Sequence, residues 1–567
     1  MLFAHTAWAD NSKYAVEIEA PSELASLLKQ HLEIMRWLDN PRMNSNEWHR
    51  LLKISPRAIE DLLATEGYFA PRIEQQLSDS NGVSTARFII TPGSATSIKS
   101  VDIGFTGAIR QQAENSNPNP EQLRENWQLP TGVRFTQDAW SRAKRSLLSS
   151  LLLERYPTAS IADSEALIDA QASSATLSLQ VDSGPEFFFG DLEIEGLQRY
   201  PSRVVRNLNP IAPGTPYSQA ALFKYQADLQ ATDYFTSTQV TAKTDTDNPA
   251  ATPIVVRVVE QPAVTVGVGV GASTNTGARV QLNYKNRNLL DRGWRLDSSL
   301  KLEQRAQSLS AVTQLPVTRD GYRDSINNHL LRLSIEGQTT TSFNNGVKRA
   351  WGPRTFEQSV GANYLVENLQ VDGQRAETKK AGTLSYGITI RRLDNDIAPT
   401  KGFLFNVQVA GAPLESLSDG RFLQTYSKAQ GYYPLGKSTQ LIGRLEGGVV
   451  NGGNSVPATF LFRAGGDQSV RGYAFQSLGV KEGNAITGGR YLVTGSMEII
   501  QWLTERWGAA AFVDFGDAAA SMRELNPVYG YGLGARFKSP AGGIGVDIAY
   551  GEATGDIRLH FNLGVSF

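Results

Sequence analysis

"VTVGVGVGA", residues 264–272, alternates with a period of two. Successive residues of a strand point to opposite faces, so Val264, Val266, Val268 and Val270 share one side and Gly267, Gly269 and Gly271 the other. "YGYGLGARF" repeats the pattern, with Tyr529, Tyr531, Leu533, Ala535 and Phe537 set against Gly530, Gly532, Gly534 and Arg536. The closing "RLHFNLGVSF" places Leu559, Phe561, Leu563, Val565 and Phe567 on one face, and His560, Asn562, Gly564 and Ser566 on the other. About sixteen such segments fill residues 263–567, near 19 residues per strand plus loop, the spacing that tilted membrane strands of about 9–11 residues require. A soluble sandwich would turn its apolar face inward. Here the polar face is rich in glycine and charge, and aromatics (Tyr432, Tyr433, Trp502, Trp507) sit near strand ends on the apolar side, which reads as lipid outside and a wet interior. No run approaches the roughly 18–20 apolar residues of a membrane helix.

Residues 14–262 follow a different pattern. Three times a helical segment runs through a tyrosine into a strand, in "LLATEGYFAPRI", "LLLERYPTASI" and "LQATDYFTSTQV", with Tyr68, Tyr156 and Tyr234 as the shared residue. Three times a β-rich segment closes the unit: "TARFIITPG", "ATLSLQVDSGP" and "TPIVVRVVEQP". Thr136 and Ser218 stand where helix caps are expected. A period of this size predicts three tandem α+β modules, at 14–95, 96–184 and 185–262. Ahead of them, Ala7-Trp8-Ala9 is a small-x-small pattern, so residues 1–9 are expected to be the remnant of an export signal.

Composition excludes several functions. Among 567 residues the net charge is −1, which gives no electrostatic case for nucleic acid. There is no cysteine, hence no disulfide framework or thiolate metal site. The five histidines, His5, His31, His49, His329 and His560, form no i, i+4 pair and are assigned structural or surface roles, with no recognisable catalytic partner for His329 or His560. "GYYPLGKS", residues 431–438, satisfies a phosphate-loop pattern, but a strand follows it where phosphate binding needs a helix N-terminus. The expectation is no catalytic residue, no metal and no cofactor.

The one long departure from alternation is "LFRAGGDQSVRGY", residues 461–473. The cation of Arg471 needs a partner unless water serves it. Strand parity supplies two: in "RYLVTGSMEII" Glu498 points inward with Ser496, and in "AAAFVDFGDA" Asp514 points inward with Gly516. A loop over 461–489 folded back into the barrel would set Arg471 against both acids, since sheltered charges pair. Val470 precedes the arginine, Gly472 allows the reversal, and Tyr473 packs on the wall.

"GGDQSVRGY", with "NLLDRGWRLDSSL" (288–300), "LDNDIAPTKGF" (393–403), "FVDFGD" (512–517) and "GLGARFKSPAGGIGVDIAYG" (532–551), resembles the outer-membrane assembly superfamily. Its members join periplasmic POTRA modules to a C-terminal barrel of sixteen strands. The resemblance implies that Arg471 pairs with Glu498 and Asp514. Three modules in this length look most like the TamA branch, whereas the BamA branch has five and two-partner secretion transporters two plus a plug helix. That branch implies a Gram-negative outer-membrane location and a TamB-like inner-membrane partner. It also implies client autotransporters and other outer-membrane proteins, with phospholipid as a further cargo. Asn562 departs from the usual terminal signal, while Phe567 keeps its aromatic.

The first strand is expected to meet the last and close the barrel through a weak seam, since three alternating glycines pack poorly. That seam comprises Val264, Val266, Gly267, Val268, Gly269, Val270 and Gly271 against Phe561, Leu563 and Phe567, with Val268 near Phe561. An opened seam would offer an edge for strand addition, making the chain an insertase and not an enzyme. A plugged channel or secretion pore, and an outer-membrane phospholipase, are the competing readings.

Overall fold

The computed structural model describes residues 5–7, 13–111, 118–245, 247–539 and 542–564. Of the expected signal remnant, residues 1–4 and 8–9 lie outside these, as does Phe567. His5–Ala7 pair antiparallel with Tyr14–Glu19.

The chain divides into two compact units. One holds residues 1–195, 210–227 and 239–256; the other holds 196–209, 228–238 and 257–567. In the first unit, the segment closing the first repeat, Val83–Thr91, lies between Tyr14–Glu19, to which it is parallel, and Arg72–Ser80, to which it is antiparallel. Ser174–Asp182 lies in the same way between Ser97–Thr106 and Ser160–Asp169. Thr252–Glu260 is again the middle strand, between Phe189–Glu195 and Phe235–Ala242. Each repeat thus places its closing segment inside its sheet, with a strand on either side and its core-facing side chains buried.

Helices complete each core. Ser45–Thr65 starts at Asn44, whose side chain accepts from Glu47 N, and packs Leu51, Ile59 and Leu63 beneath Phe88 and Ile90. Gln137–Leu152 is capped by Thr136, whose hydroxyl accepts from Ala139 N at 3.1 Å. Ser218 instead donates to Glu154 Oε1 at 3.1 Å. Tyr156 is fully buried in the second core and Tyr234 nearly so.

The second unit is dominated by one antiparallel sheet of sixteen strands, in chain order from Val264–Ser273 to Asp556–Gly564. Its outer face carries Leu330, Phe343, Leu445, Met497, Val513 and Leu533, all exposed, while Glu367, Lys379, Glu498, Asp514 and Asp547 are buried on the inner face. Apolar-out, polar-in alternation is the membrane-barrel arrangement. The phosphate-loop lookalike is a hairpin, Phe422–Leu435 turning into Thr439–Gly452, with no helix.

Two expectations are corrected. Tyr433 and Trp507 are outward and exposed, but Tyr432 is buried and Trp502, with Lys538 Nζ 3.8 Å above its ring, lines the lumen. Strand parity is the reason: Tyr432 and Tyr433 are neighbours, so only one can face out, and Trp502 shares the parity of Glu498. Nor does the ladder close. Among the described residues, no strand pairing joins Val264–Ser273 to Asp556–Gly564.

Candidate functional site: the inward loop and the seam

Between Thr439–Gly452 and Tyr491–Trp502 the chain turns into the lumen. The wall anchors it at several points. Glu367, fully buried, accepts from Ala458 N at 2.6 Å and Thr459 N at 2.8 Å, which satisfies a carboxylate that would otherwise be desolvated at a cost of several kcal/mol. Lys379 Nζ donates to the carbonyls of Asn454 at 3.0 Å and Val456 at 3.4 Å. Further along, Gln424 Nε2 donates to Phe460 O at 2.8 Å and Arg444 Nη2 to Ser469 O at 2.7 Å. A short hairpin, Val480–Glu482 with Ala485–Thr487, ends the excursion.

Arg471 is 5% exposed, and every nitrogen of its side chain donates. Asp514 is gripped in the two-pronged geometry that suits a guanidinium, Nε to Oδ2 at 2.7 Å and Nη2 to Oδ1 at 2.9 Å. The backbone N–H of Arg471 adds a third bond to the same carboxylate at 3.0 Å. Nη1 reaches Glu498 at 2.7 Å and Asp547 at 3.1 Å. The ring of Phe512 lies against the other side, 3.4 Å from the guanidinium carbon. Glu498 and Asp547 are shared with a second cation, Arg536, whose Nε and Nη2 donate to Glu498 at 2.8 and 2.7 Å. Each carboxylate therefore faces at least one guanidinium, the condition for burying charge at tolerable cost.

The rest of the motif fits this core. Val470 is fully buried, and Tyr473 donates its hydroxyl to Tyr529 O at 2.9 Å while accepting from Ala553 N at 3.0 Å. Gly472 has φ 95°, and a Cβ there would stand 2.7 Å from Gly551 N. A Cβ on Gly530 would come within 1.9 Å of the Arg471 carbonyl. Both glycines permit close backbone approach.

Arg471, Glu498 and Asp514 are thus brought together. Sequence reasoning missed Asp547, Arg536 and Glu367, although Asp547 pairs in register with Gly534 and carries the same inward parity. It also left His560 without a partner, and the structure gives it two: Nε2 accepts from Gly472 N at 2.9 Å, and Nδ1 lies 2.6 Å from Asp467 Oδ1. Among the described residues, no group of three or more histidine or carboxylate side chains is arranged to hold a metal ion.

At the seam the first strand is exposed along almost its whole length, and exposure rises from 47% at Val264 to 85% at Val270. On the other face Gly269 leaves open space, and a Cβ on Gly267 would make only an ordinary contact with Asn283 Cβ at 3.9 Å. Phe561 N lies 3.5 Å from Thr274 Oγ1, so the last strand approaches the first near residue 274. The expected neighbour, Val268, is six residues away, a strand distance of roughly 20 Å. Phe561 is half-buried, and the backbone of Leu563 continues the last strand.

The root of the first strand is held by Arg287. Its Nε donates to Asp233 O at 2.8 Å, and Nη1 to Pro262 O at 3.0 Å and Thr265 Oγ1 at 2.8 Å. Asp233 also accepts from Lys285 Nζ at 2.8 Å. Burial pushes the Asp233 carboxyl up, but the hydrogen bond and charge of Lys285, reinforced by Arg287, hold it below its ordinary value. In the turn after Leu393, Asp394 accepts from the Thr400 hydroxyl and from Lys401 N at 3.0 Å, which lowers it to about 2.

A family model described as the Omp85 superfamily domain matches residues 263–567, and one described as POTRA, surface antigen variable number repeat, matches residues 187–261. The first covers more than half of the chain, which therefore belongs to the Omp85 superfamily. The outer membrane protein assembly factor BamA of Nitratidesulfovibrio vulgaris is 26% identical over 382 residues, covering 63% of this chain and 47% of that protein. BamA of Neisseria meningitidis serogroup B is 22% identical over 354 residues, covering 56% and 43%. The alignments thus span less than half the length of these curated relatives. The crystal structure of BamA from Haemophilus ducreyi lacking POTRA domains 1–3 superposes with a TM-score of 0.68 at 17% identity, over 82% of this chain and 98% of that one, a likeness of fold.

Proposed function

We propose that this chain is an outer-membrane assembly subunit that inserts β-strands through the seam between its first and last barrel strands. The edge of Val264–Ser273, which has no strand partner among the described residues, carries the reading. An edge strand with free backbone groups recruits another strand, and here it borders the seam of a barrel whose intervening strands are each paired on both sides. No bond is made or broken, so the activity is not enzymatic. The barrel lies in the outer membrane of a Gram-negative cell and the modules in the periplasm. In finer detail we assign it to the TamA branch, on its three repeats, with a TamB-like inner-membrane partner docking on the modules. Clients are unfolded autotransporters and other outer-membrane proteins, with phospholipid as a second cargo.

Locking the seam tests this. Cysteines at Ala272 and Leu563, two residues on from the Thr274–Phe561 contact along each strand, are expected to abolish client insertion into liposomes when oxidised and to restore it on reduction. Undiminished insertion by the oxidised protein would overturn the reading. Recovery of a TamB-like protein with the full chain from envelope extracts tests the branch. An inward loop across the lumen also suits a plugged channel, and steady, selective current from the purified protein would favour that reading instead.

A further inference from the structure

The last strand is fastened to the inward loop through a side chain that the Arg471 cluster does not use. His560 stands mid-strand in Asp556–Gly564 and is 4% exposed. The Gly472 N–H can only donate, so the Nε2 it meets at 2.9 Å must be the accepting nitrogen. That leaves the ring proton on Nδ1, which donates to Asp467 Oδ1 at 2.6 Å. Both partners of this pair are nearly inaccessible, with side-chain exposures of 5% and 6%. The same Asp467 oxygen accepts from the hydroxyl of Thr274, in the turn that ends the first strand, at 3.4 Å. Thr274 Oγ1 in turn accepts from Phe561 N at 3.5 Å. One loop carboxylate therefore touches both sides of a seam that has no ladder among the described residues.

We propose that Asp467 and His560 form a latch by which the seated inward loop sets the spacing of the two seam strands, with Thr274 as its contact on the first strand. These are positioning residues: the seam is held at this end by the loop's carboxylate, in place of a backbone ladder and beside the one long bond from Phe561 N to Thr274 Oγ1. The strong, buried bonds fasten the last strand, and the long bonds of Thr274, 3.4 Å to Asp467 and 3.5 Å from Phe561 N, are the weak side. The first strand is accordingly the one that moves away while the last stays with the loop. This rests on the proposed function only for its meaning in assembly; the geometry stands without it.

Spin labels on the full chain in nanodiscs provide the test. One pair, Val270→Cys with Ile557→Cys, spans the seam at two exposed positions, and a control pair, Leu445→Cys with Ile499→Cys, reports on the wall. Asp467→Ala is expected to shift the seam distance to longer values and broaden it while leaving the wall pair unchanged. Thr274→Val, a turn substitution that removes one hydroxyl, is expected to give a smaller shift in the same direction. Folding is checked by the heat-dependent gel mobility of barrels. A folded Asp467→Ala protein with an unaltered seam distance would overturn the latch. If that variant does not fold, an unaltered distance in Thr274→Val would do so. The readout needs no client, so failure of the latch is distinguishable from failure of the insertase reading, which the disulfide lock tests separately.

Discussion

Arg471 and Val268 belong to the same barrel and are satisfied in opposite ways. Around Arg471, three carboxylates from three strands, a second guanidinium and an aromatic ring fill the space, and a loop of the chain is committed to delivering a single cation. Around Val268, the side chain is 75% exposed, its glycine neighbours leave the inner face sparsely filled, and one edge of the strand has no ladder among the described residues. The contrast places rigidity and weakness in separate parts of one sheet. Buried ion pairs contribute little net stability over apolar packing but punish any rearrangement that separates them. The loop and the strands Tyr491–Trp502, Trp507–Ala519 and Gly542–Gly551 therefore move as a block if they move at all. The first strand, with few side chains to unpack, separates at small cost.

The largest expected effect comes from breaking the rigid side. Arg471→Ala leaves Asp514 buried and unpaired, with Glu498 and Asp547 relying on Arg536, and should destabilise the barrel by on the order of 3–5 kcal/mol. Denaturant unfolding followed by gel mobility would read this, and Arg471→Lys should recover only part of it because one ammonium cannot span the same acceptors. Next is the root of the first strand. Arg287→Ala removes the donors to Asp233, Pro262 and Thr265, an expected loss of about 2 kcal/mol, read as faster amide exchange spreading from Val264. Gly269→Val acts in the other direction. A Cβ there meets nothing within 4 Å, so the strand gains β-propensity of up to about 1 kcal/mol and insertion should slow without loss of folding.

The smallest effect is on acid stability. Asp233 and Asp394 both titrate below their ordinary value of 3.8 in the folded chain, Asp394 at about 2. A depressed carboxylate contributes stability that is fully present above the unfolded value and is lost as pH falls through the folded one. Asp394→Asn should therefore be slightly less stable than the parent at neutral pH, with the difference closing as pH falls from 3.8 through about 2, so its acid unfolding is shallower.

Much of this contrast was readable from residue order. Alternation with a period of two set out the sixteen strands, and parity alone turned Glu498 and Asp514 toward Arg471. The same rule, applied to "GVDIAY" and "GLGARF", would have added Asp547 and Arg536, and it was misapplied at Tyr432 and Trp502, where aromatic character was allowed to outweigh position. Glu367 and Asp467 were beyond such reasoning. Their partners are backbone amides and a histidine brought together by a loop that crosses the lumen, and no periodicity reports where a loop goes. The missing ladder was equally hidden: glycines show that a strand pairs weakly, not which residues of the last strand come near it.

Hydrogen exchange along the first strand bears most directly on the difference between these two regions. In the folded protein in nanodiscs, amides of Val264–Ala272 that face away from the second strand should exchange orders of magnitude faster than those of Leu441–Val450, which are paired on both sides. Equal protection of the two segments would mean a closed ladder at the seam and would contradict the account.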